Sequence, residues 1–280
     1  MTTWLKAGNT AVITGGASGI GLAAAQRYAQ QGMNVVIADL DDKVLQAAAR
    51  TIHPQHNASV QTFVVDVTES EQLDALRNFA LKEFGHVHCL MNNAGASIRQ
   101  SKPWENLDKF KQQIDINFWG VVHGCHAFLP SMLKNRTSSV VINTGSKQGI
   151  TKPPGNYAYN LSKSGVIGYT ESVAYALRDI EDCCVSAHLL IPGFTYTGMI
   201  AKFLPEKPEG AWTSEQVIEF MINALSQQHF YILCPDNETP RALDERRIQW
   251  NVDDIIHNRP ALSRWHPEFA KHYDEFINKN

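Results

Sequence analysis

The chain is poor in cysteine, in excess positive charge and in long apolar runs, and each shortage removes a class of protein. Its five cysteines, Cys89, Cys125, Cys183, Cys184 and Cys234, are an odd number without C-x-x-C spacing. Reduced thiols are expected, not a disulfide framework or a thiolate zinc site. His53, His56, His86 and His88 lack the nearby His, Cys or carboxylate partners that zinc sites use, so no metal is expected. Lys and Arg total 25 against 28 Asp and Glu, a formal net charge of -3. That leaves no basic footprint for a phosphate backbone, and nucleic acid is not an expected partner. No run of about 18 apolar residues occurs, so no membrane span is expected. Residues 1–8 contain one lysine and no apolar stretch, so a cytoplasmic location is the expectation.

What is present suits a large buried core: 280 residues, 44% hydrophobic and 19% charged. Short, β-branched apolar runs recur at 11–14, 34–39, 61–66, 87–92, 140–144, 185–191 and 230–234. Their near-continuous hydrophobicity suits strands covered on both faces. Amphipathic segments at 20–31, 44–52, 69–84, 107–134 and 158–178 alternate with them. The alternation predicts an α/β fold: a doubly wound, Rossmann-like parallel sheet of about seven strands, helices on both faces, and one domain over residues 1–280. Residues 193–215, with Pro205, Pro208 and Gly210, read as a substrate lid. Residues 235–280 read as a helical extension with helices near 243–256 and 267–277, packed on the substrate side or on another subunit.

The first strand runs into Thr14-Gly15-Gly16-Ala17-Ser18-Gly19-Ile20-Gly21 and then into helical periodicity. Glycines 15, 19 and 21 answer the needs of a tight turn, of close approach to a pyrophosphate and of helix-on-sheet packing. Amides around Ser18 and Ile20 would face the phosphates. Asp39 closes the second strand, 24 residues after Gly15 (39 minus 15), where a carboxylate can hold the adenosine ribose and repel a 2′-phosphate. Gly16 and Ala17 supply no cation for such a phosphate, so NAD is the expected cofactor. The competing reading of Asp39 is a strand-end or helix-capping acid. Asp66 suits an adenine contact and equally a cap ahead of Glu69.

Tyr159 and Lys163 stand four apart in Tyr157-Ala-Tyr159-Asn-Leu-Ser-Lys163, a spacing that puts both on one helix face. There an ammonium can favour the ionised phenol. Tyr157 has Leu161 four residues on and gains no such partner. Thr14-Gly-x-x-x-Gly-x-Gly21, Asp66-Val67, Asn92-Asn93-Ala94-Gly95, Asn117, Ser146, Tyr159-x-x-x-Lys163 and Pro192-Gly193 follow in order. In these residues the chain resembles the short-chain dehydrogenase/reductase family over roughly its first two hundred residues.

The resemblance implies hydride transfer between C4 of a nicotinamide and a carbinol or carbonyl carbon. Tyr159 would be the general base or acid, Lys163 would lower its pKa and hold the nicotinamide ribose, and Ser146 would bind the substrate oxygen. Asn117 would hold a water linking Lys163 to solvent, or else be a helix amide bonded to backbone. Val67, Asn93 and Ala94 would lie by the adenosine, and Thr144, Pro192, Thr195 and Thr197 by the nicotinamide half. Ile98, Gln148, Tyr157, Phe194, Met199, Phe203 and Trp212 would ring the substrate, a lining that suits a hydrophobic or aromatic secondary alcohol or its ketone. They could instead form the lid's own core. Lys147 departs from the family's usual small residue, as a substrate-facing cation or as a solvated lysine on the rim. An NADPH-dependent carbonyl reductase and a dinucleotide-binding sensor without chemistry are the rival readings. A homodimer or homotetramer is implied by the resemblance alone.

Overall fold

Residues that alternate along a strand point to opposite faces of its sheet, and this chain uses that to build two cores at once. The computed structural model describes residues 3–99, 102–201 and 203–278. Its strands are β1 (Thr10–Thr14), β2 (Asn34–Asp39), β3 (Val60–Val64), β4 (Cys89–Asn92), β5 (Ser139–Thr144), β6 (Val185–Ile191) and β7 (Tyr231–Leu233). The helices are α1 (Gly19–Gln30), α2 (Asp42–Ala49), α3 (Ser70–Phe84), α4 (Leu107–Ile114), α5 (Gly120–Lys134), α6 (Lys147–Thr151), α7 (Tyr157–Arg178), α8 (Gly198–Ala201), α9 (Ser214–Ser226), α10 (Arg241–Ile256) and α11 (Ala270–Ile277). The strands pair in parallel in the order β3-β2-β1-β4-β5-β6-β7, the doubly wound sheet expected.

Ala11 and Ile13 of β1 join Ile37, Met91 and Ile142 under α1, α2 and α9. Val12 joins Val36, Leu90 and Val141 under α3, α5 and α7 on the other face. Full burial of a Val, Leu or Ile is worth about 1.5–3 kcal/mol, so β1, β4 and β5, buried at every position, anchor the sheet. A polar seam crosses its centre. Asn92 Nδ2 donates to Asn143 Oδ1 at 2.8 Å, and Asn143 Nδ2 to Thr170 Oγ1 at 3.1 Å. The strand order reverses between β1 and β4, leaving a crevice at their carboxyl ends where such sheets bind ligands.

Three elements differ from the sequence reading. The expected helix 107–134 is split by a π-helical turn, Asp115–Trp119, which inserts a wider turn between α4 and α5. Helix α9 follows the lid and carries a reciprocal capping box between Thr213 and Gln216. The second helix of the extension begins as a 3₁₀ turn, Pro267–Phe269, before α11.

The extension has a small core of its own. Trp250 packs edge-on to Tyr273 at 5.3 Å between ring centres, with the Arg259 guanidinium 3.9 Å from the Trp250 ring centre. Asp254 accepts from the Ser263 amide and from Arg259, both at 3.0 Å. Helix α10 reaches α6 of the same chain through an ion pair between Lys147 and Asp244. Among the described residues no helix is long and apolar enough to cross a membrane. Burial pushes the thiols of Cys89, Cys125 and Cys234 up to about 12.

Candidate active site

The turn after β1 exists in this shape because glycine permits it. Gly15 and Gly19 have φ of +63° and +52°, in the left-handed region where a side chain is strained. A Cβ on Gly15 would stand 2.7 Å from Ala94 Cα, and one on Gly21 would run into the Gly15 carbonyl. The turn after β4 is stitched to it. Asn93 and Ala94 donate their amides to Thr14 Oγ1 at 3.0 and 3.2 Å, and Asn93 Nδ2 donates to the Gly15 carbonyl at 3.2 Å. Exposed Ser18 precedes α1 without a side-chain cap, so the first-turn amides near Ile20 are left for a ligand. Thr197 of the lid lies within 3.1 Å of the position a Gly19 Cβ would take.

Asp39 Oδ2 accepts from the Ala17 amide at 3.2 Å and Oδ1 from the Leu40 amide at 2.8 Å. The helix cap is Asp41, which accepts from Lys43 and Val44, so Asp39 is not the capping acid. Asp66 Oδ1 accepts from the Thr68 amide and hydroxyl at 2.9 and 2.8 Å, closing the turn into α3, and Val67 beside it is buried against Gly120. A glycine cradle, open helix amides and an acid at the end of β2 together fit a dinucleotide.

At the other side of the crevice, Ser146 ends the turn after β5 and caps α6, its Oγ accepting from the Gln148 amide at 3.2 Å. That acceptance leaves its own hydrogen to donate. Tyr159 and Lys163 share a face of α7, with Nζ 5.8 Å from the phenol ring centre. Lys163 is buried, donates to the Thr144 carbonyl at 2.7 Å, and burial lowers its ammonium to about 8. One expectation is corrected here. Burial raises the Tyr159 phenol above its ordinary value, and the group that opposes this is Ser146, by a hydrogen bond, not Lys163. Thr144 also reaches across to Asn93 Oδ1 at 3.4 Å, closing the wall between the two halves.

Asn117, at the centre of the π turn, is fully buried. Its Oδ1 accepts from the Ala96 amide at 2.8 Å, and its Nδ2 donates to the Ala96 carbonyl and Ser162 Oγ at 3.0 and 3.2 Å. Both amide hydrogens are spent, and the side chain anchors the Ala96 backbone, the second of the two roles expected for it. Sequence reasoning missed its companion. Gln113, four residues earlier, accepts from the Ile98 amide and donates to the Ala96 carbonyl, both at 2.6 Å. A buried glutamine one turn before Asn117 was the available signal.

Lys147 meets neither expectation. Its Nζ lies 2.6 Å from Asp244 Oδ2 and 3.1 Å from Asp236 Oδ2, largely shielded from solvent. It faces neither substrate nor open water, because two buried carboxylates require a cation. Trp212 is also corrected: it packs edge-on to Phe220 of α9 at 5.8 Å and joins the core under α1. Phe203 is exposed and sits beneath the Arg99 guanidinium at 4.6 Å, joining the lid to the loop after β4. Tyr157, Phe194 and Met199 are half-buried. Gln148 is half-buried too, and its Oε1 is enclosed without a partner. Pro192 is buried, its carbonyl accepting from the Lys147 amide, and Thr195 is buried with Oγ1 donating to the Gly193 carbonyl at 3.2 Å. Among the described residues no cluster of His, Cys, Asp or Glu is arranged to hold a metal.

Residues 9–208 match the short chain dehydrogenase family. Among similar proteins, a 1-deoxy-11-beta-hydroxypentalenate dehydrogenase of Streptomyces exfoliatus is 31% identical over 261 residues, covering 91% of this chain and 93% of that one. A 3beta-hydroxysteroid dehydrogenase 2 of Eggerthella lenta is 30% identical over 200 residues, covering 69% and 73%. A short chain dehydrogenase/reductase from Burkholderia phymatum, solved in complex with NAD, superposes with a TM-score of 0.82 at 29% identity, covering 92% of this chain and 97% of that one. With the match spanning the whole crevice, from the strand before the glycine turn to the lid, the chain belongs to the short-chain dehydrogenase family of oxidoreductases.

Proposed function

We propose that this protein moves a hydride between NAD(H) and a secondary alcohol or its ketone, of hydrophobic or aromatic character. The observation that carries the reading is the meeting of Ser146, from the end of β5, with Tyr159 and Lys163 of α7 beside the crevice. The nicotinamide, when bound, supplies the hydride acceptor or donor. Tyr159 takes the alcohol proton in oxidation and returns it to the ketone oxygen in reduction. Ser146, its oxygen already accepting from Gln148, turns its single hydrogen from Tyr159 to the substrate oxygen when substrate is bound and steadies the alkoxide. Lys163, its ammonium lowered to about 8 by burial, holds the ribose.

Gly15, Ser18, Gly19 and Ile20 would cradle the pyrophosphate, with Asp66, Val67, Asn93 and Ala94 at the adenosine. Thr144, Pro192, Thr195 and Thr197 would hold the nicotinamide half, and Gln148, Tyr157, Phe194 and Met199 would border the substrate. Asp39 favours NAD, since its carboxylate repels a 2′-phosphate and no cation stands at positions 16, 17 or 40 to bind one. The relative solved with NAD, and the relatives named for a hydroxypentalenate and a hydroxysteroid, support this reading. The test is a panel of aromatic, alicyclic and acidic alcohols with NAD and with NADP. Tyr159→Phe should lose turnover by at least about a hundredfold while still binding NADH. A variant with near-normal rates refutes the role of Tyr159, and a higher kcat/KM with NADP refutes the cofactor assignment. The proposal extends to a cytoplasmic homodimer or homotetramer built on the face of α4 and α7, which sedimentation of the purified protein decides.

A further inference from the structure

Lys147 is the residue next to Ser146, and through it the extension beyond β7 touches the chemistry. Its backbone amide donates to the Pro192 carbonyl at 3.2 Å, while its Nζ sits between Asp236 and Asp244 at 3.1 and 2.6 Å. These side chains are 15%, 5% and 4% exposed, so water screens the cluster little. Burial alone pushes the Asp236 carboxyl up, but the Phe194 amide and the Lys147 ammonium more than offset this and hold it below the ordinary range. The Asp244 carboxyl is pushed up by burial. Asp236 Oδ2 also accepts from the Phe194 amide at 3.1 Å. A Cβ on Gly193 would stand 2.6 Å from that oxygen and 2.9 Å from Lys147 Nζ, so the Pro192-Gly193 turn lies directly on the cluster.

Two halves of the crevice therefore hang on one ion cluster. Ser146 caps the short helix α6, whose first residue is Lys147, so the lysine's place sets where the Ser146 hydroxyl stands. Phe194 and Thr195 open the lid, and Asp236 fixes the first of them. Asp236 lies in the turn after β7, held by the Glu238 amide at 3.2 Å, and Asp244 lies in the first turns of α10. Both carboxylates belong to the extension.

We propose that Lys147, Asp236 and Asp244 form a positioning cluster through which the extension fixes the Ser146 hydroxyl and the Phe194 amide for hydride transfer. The inference rests on the assignment of Ser146, Tyr159 and Lys163 above. The three residues touch no reacting atom. They act through α6 and the Pro192-Gly193 turn, and the extension becomes a working wall of the site.

Asp244→Asn tests it, because it removes one charge from the full-length protein without changing shape or touching Asp236. Four quantities are read: kcat, KM for the alcohol, NADH binding by fluorescence, and hydrogen exchange by mass spectrometry. A small misplacement of a catalytic group costs on the order of ten- to a hundredfold in rate. The expected result is a kcat lowered by that order with the alcohol KM changed less than about threefold, a loss confined to transition-state contacts. Exchange should quicken in residues 146–151 and 193–197 and stay as in the parent protein in β1 and β4. A variant that melts earlier but keeps kcat, or that leaves exchange in both segments unchanged, overturns the proposal. If Asp244→Asn does not fold, Asp244→Glu keeps the charge one methylene further out. Intermediate kcat and exchange then support the cluster, and values equal to the parent protein overturn it. Retained turnover in Tyr159→Phe would sink the dehydrogenase assignment alone, since the exchange readout still decides whether Asp244 holds α6 and the lid.

Discussion

Removing the Ser146 hydroxyl takes from Tyr159 the group that opposes burial. The sign follows directly. Oxidation needs the phenolate, so the rate rises as pH passes the tyrosine pKa, and a higher pKa moves that rise to higher pH. Ser146→Ala is therefore expected to shift the acidic limb of kcat/KM for alcohol oxidation upward and to lower its plateau by roughly a hundred- to a thousandfold, the cost of one lost oxyanion donor. A pH-rate series on both proteins checks it, and a limb that stays in place removes Ser146 from the tuning of Tyr159. At this scale the sequence was legible where chemistry recurs at short spacing: Tyr159 with Lys163, and the glycines of the β1 turn. Lys147 was not legible, because its partner Asp236 lies 89 residues away and no local pattern announces such a pair. The same holds for Gln113, whose partners Ala96 and Ile98 belong to a loop.

Helix α5 offers a case in which two effects oppose each other and steric crowding decides. Replacing a helical glycine by alanine gains about 1 kcal/mol in propensity, so Gly124→Ala would stabilise an isolated helix. Here a Cβ at 124 would collide with Oδ1 of Asn92, which is itself tied to Asn143 across the sheet. Overpacking of this kind costs roughly 1–3 kcal/mol or more, and Asn92 cannot retreat without giving up its bond to β5. Gly124→Ala is expected to lower Tm, and a rise would mean that Asn92 has room to move. Most elements were legible from period alone, since β-branched runs and 3.6-residue spacing dominate. The π turn was not, because an extra residue in a helical turn leaves the apolar spacing of α4 and α5 almost intact. Helix α9 announces itself by Thr213-x-x-Gln216 but follows a proline-rich lid whose composition reads as loop.

Among the described residues, Trp119 of the π turn and Leu161 of α7, 45% and 55% exposed, line one open groove with Phe110 and Ile114 of α4. Contiguous exposed apolar surface marks association. Sedimentation is expected to find a dimer or tetramer at micromolar concentration, and Leu161→Glu is expected to release smaller species. A monomeric parent protein would leave this face without the proposed partner. The doubly wound parallel sheet was legible, since right-handed crossovers leave few choices. The seat of the extension was not, for its attachment is a buried charge cluster and not a periodic apolar stripe.

That attachment has a bearing on how the protein is made. Chains emerge from the amino end and begin to fold as they do so. The crevice residues from Gly15 to Thr197 can be assembled while Asp236 and Asp244 are still unsynthesised. Until those carboxylates arrive, Lys147 has no counter-ion and the turn at Gly193 nothing to rest on. The dinucleotide half can thus be shaped early in synthesis, while the half that would meet the alcohol is finished only once residues 236–244 have emerged.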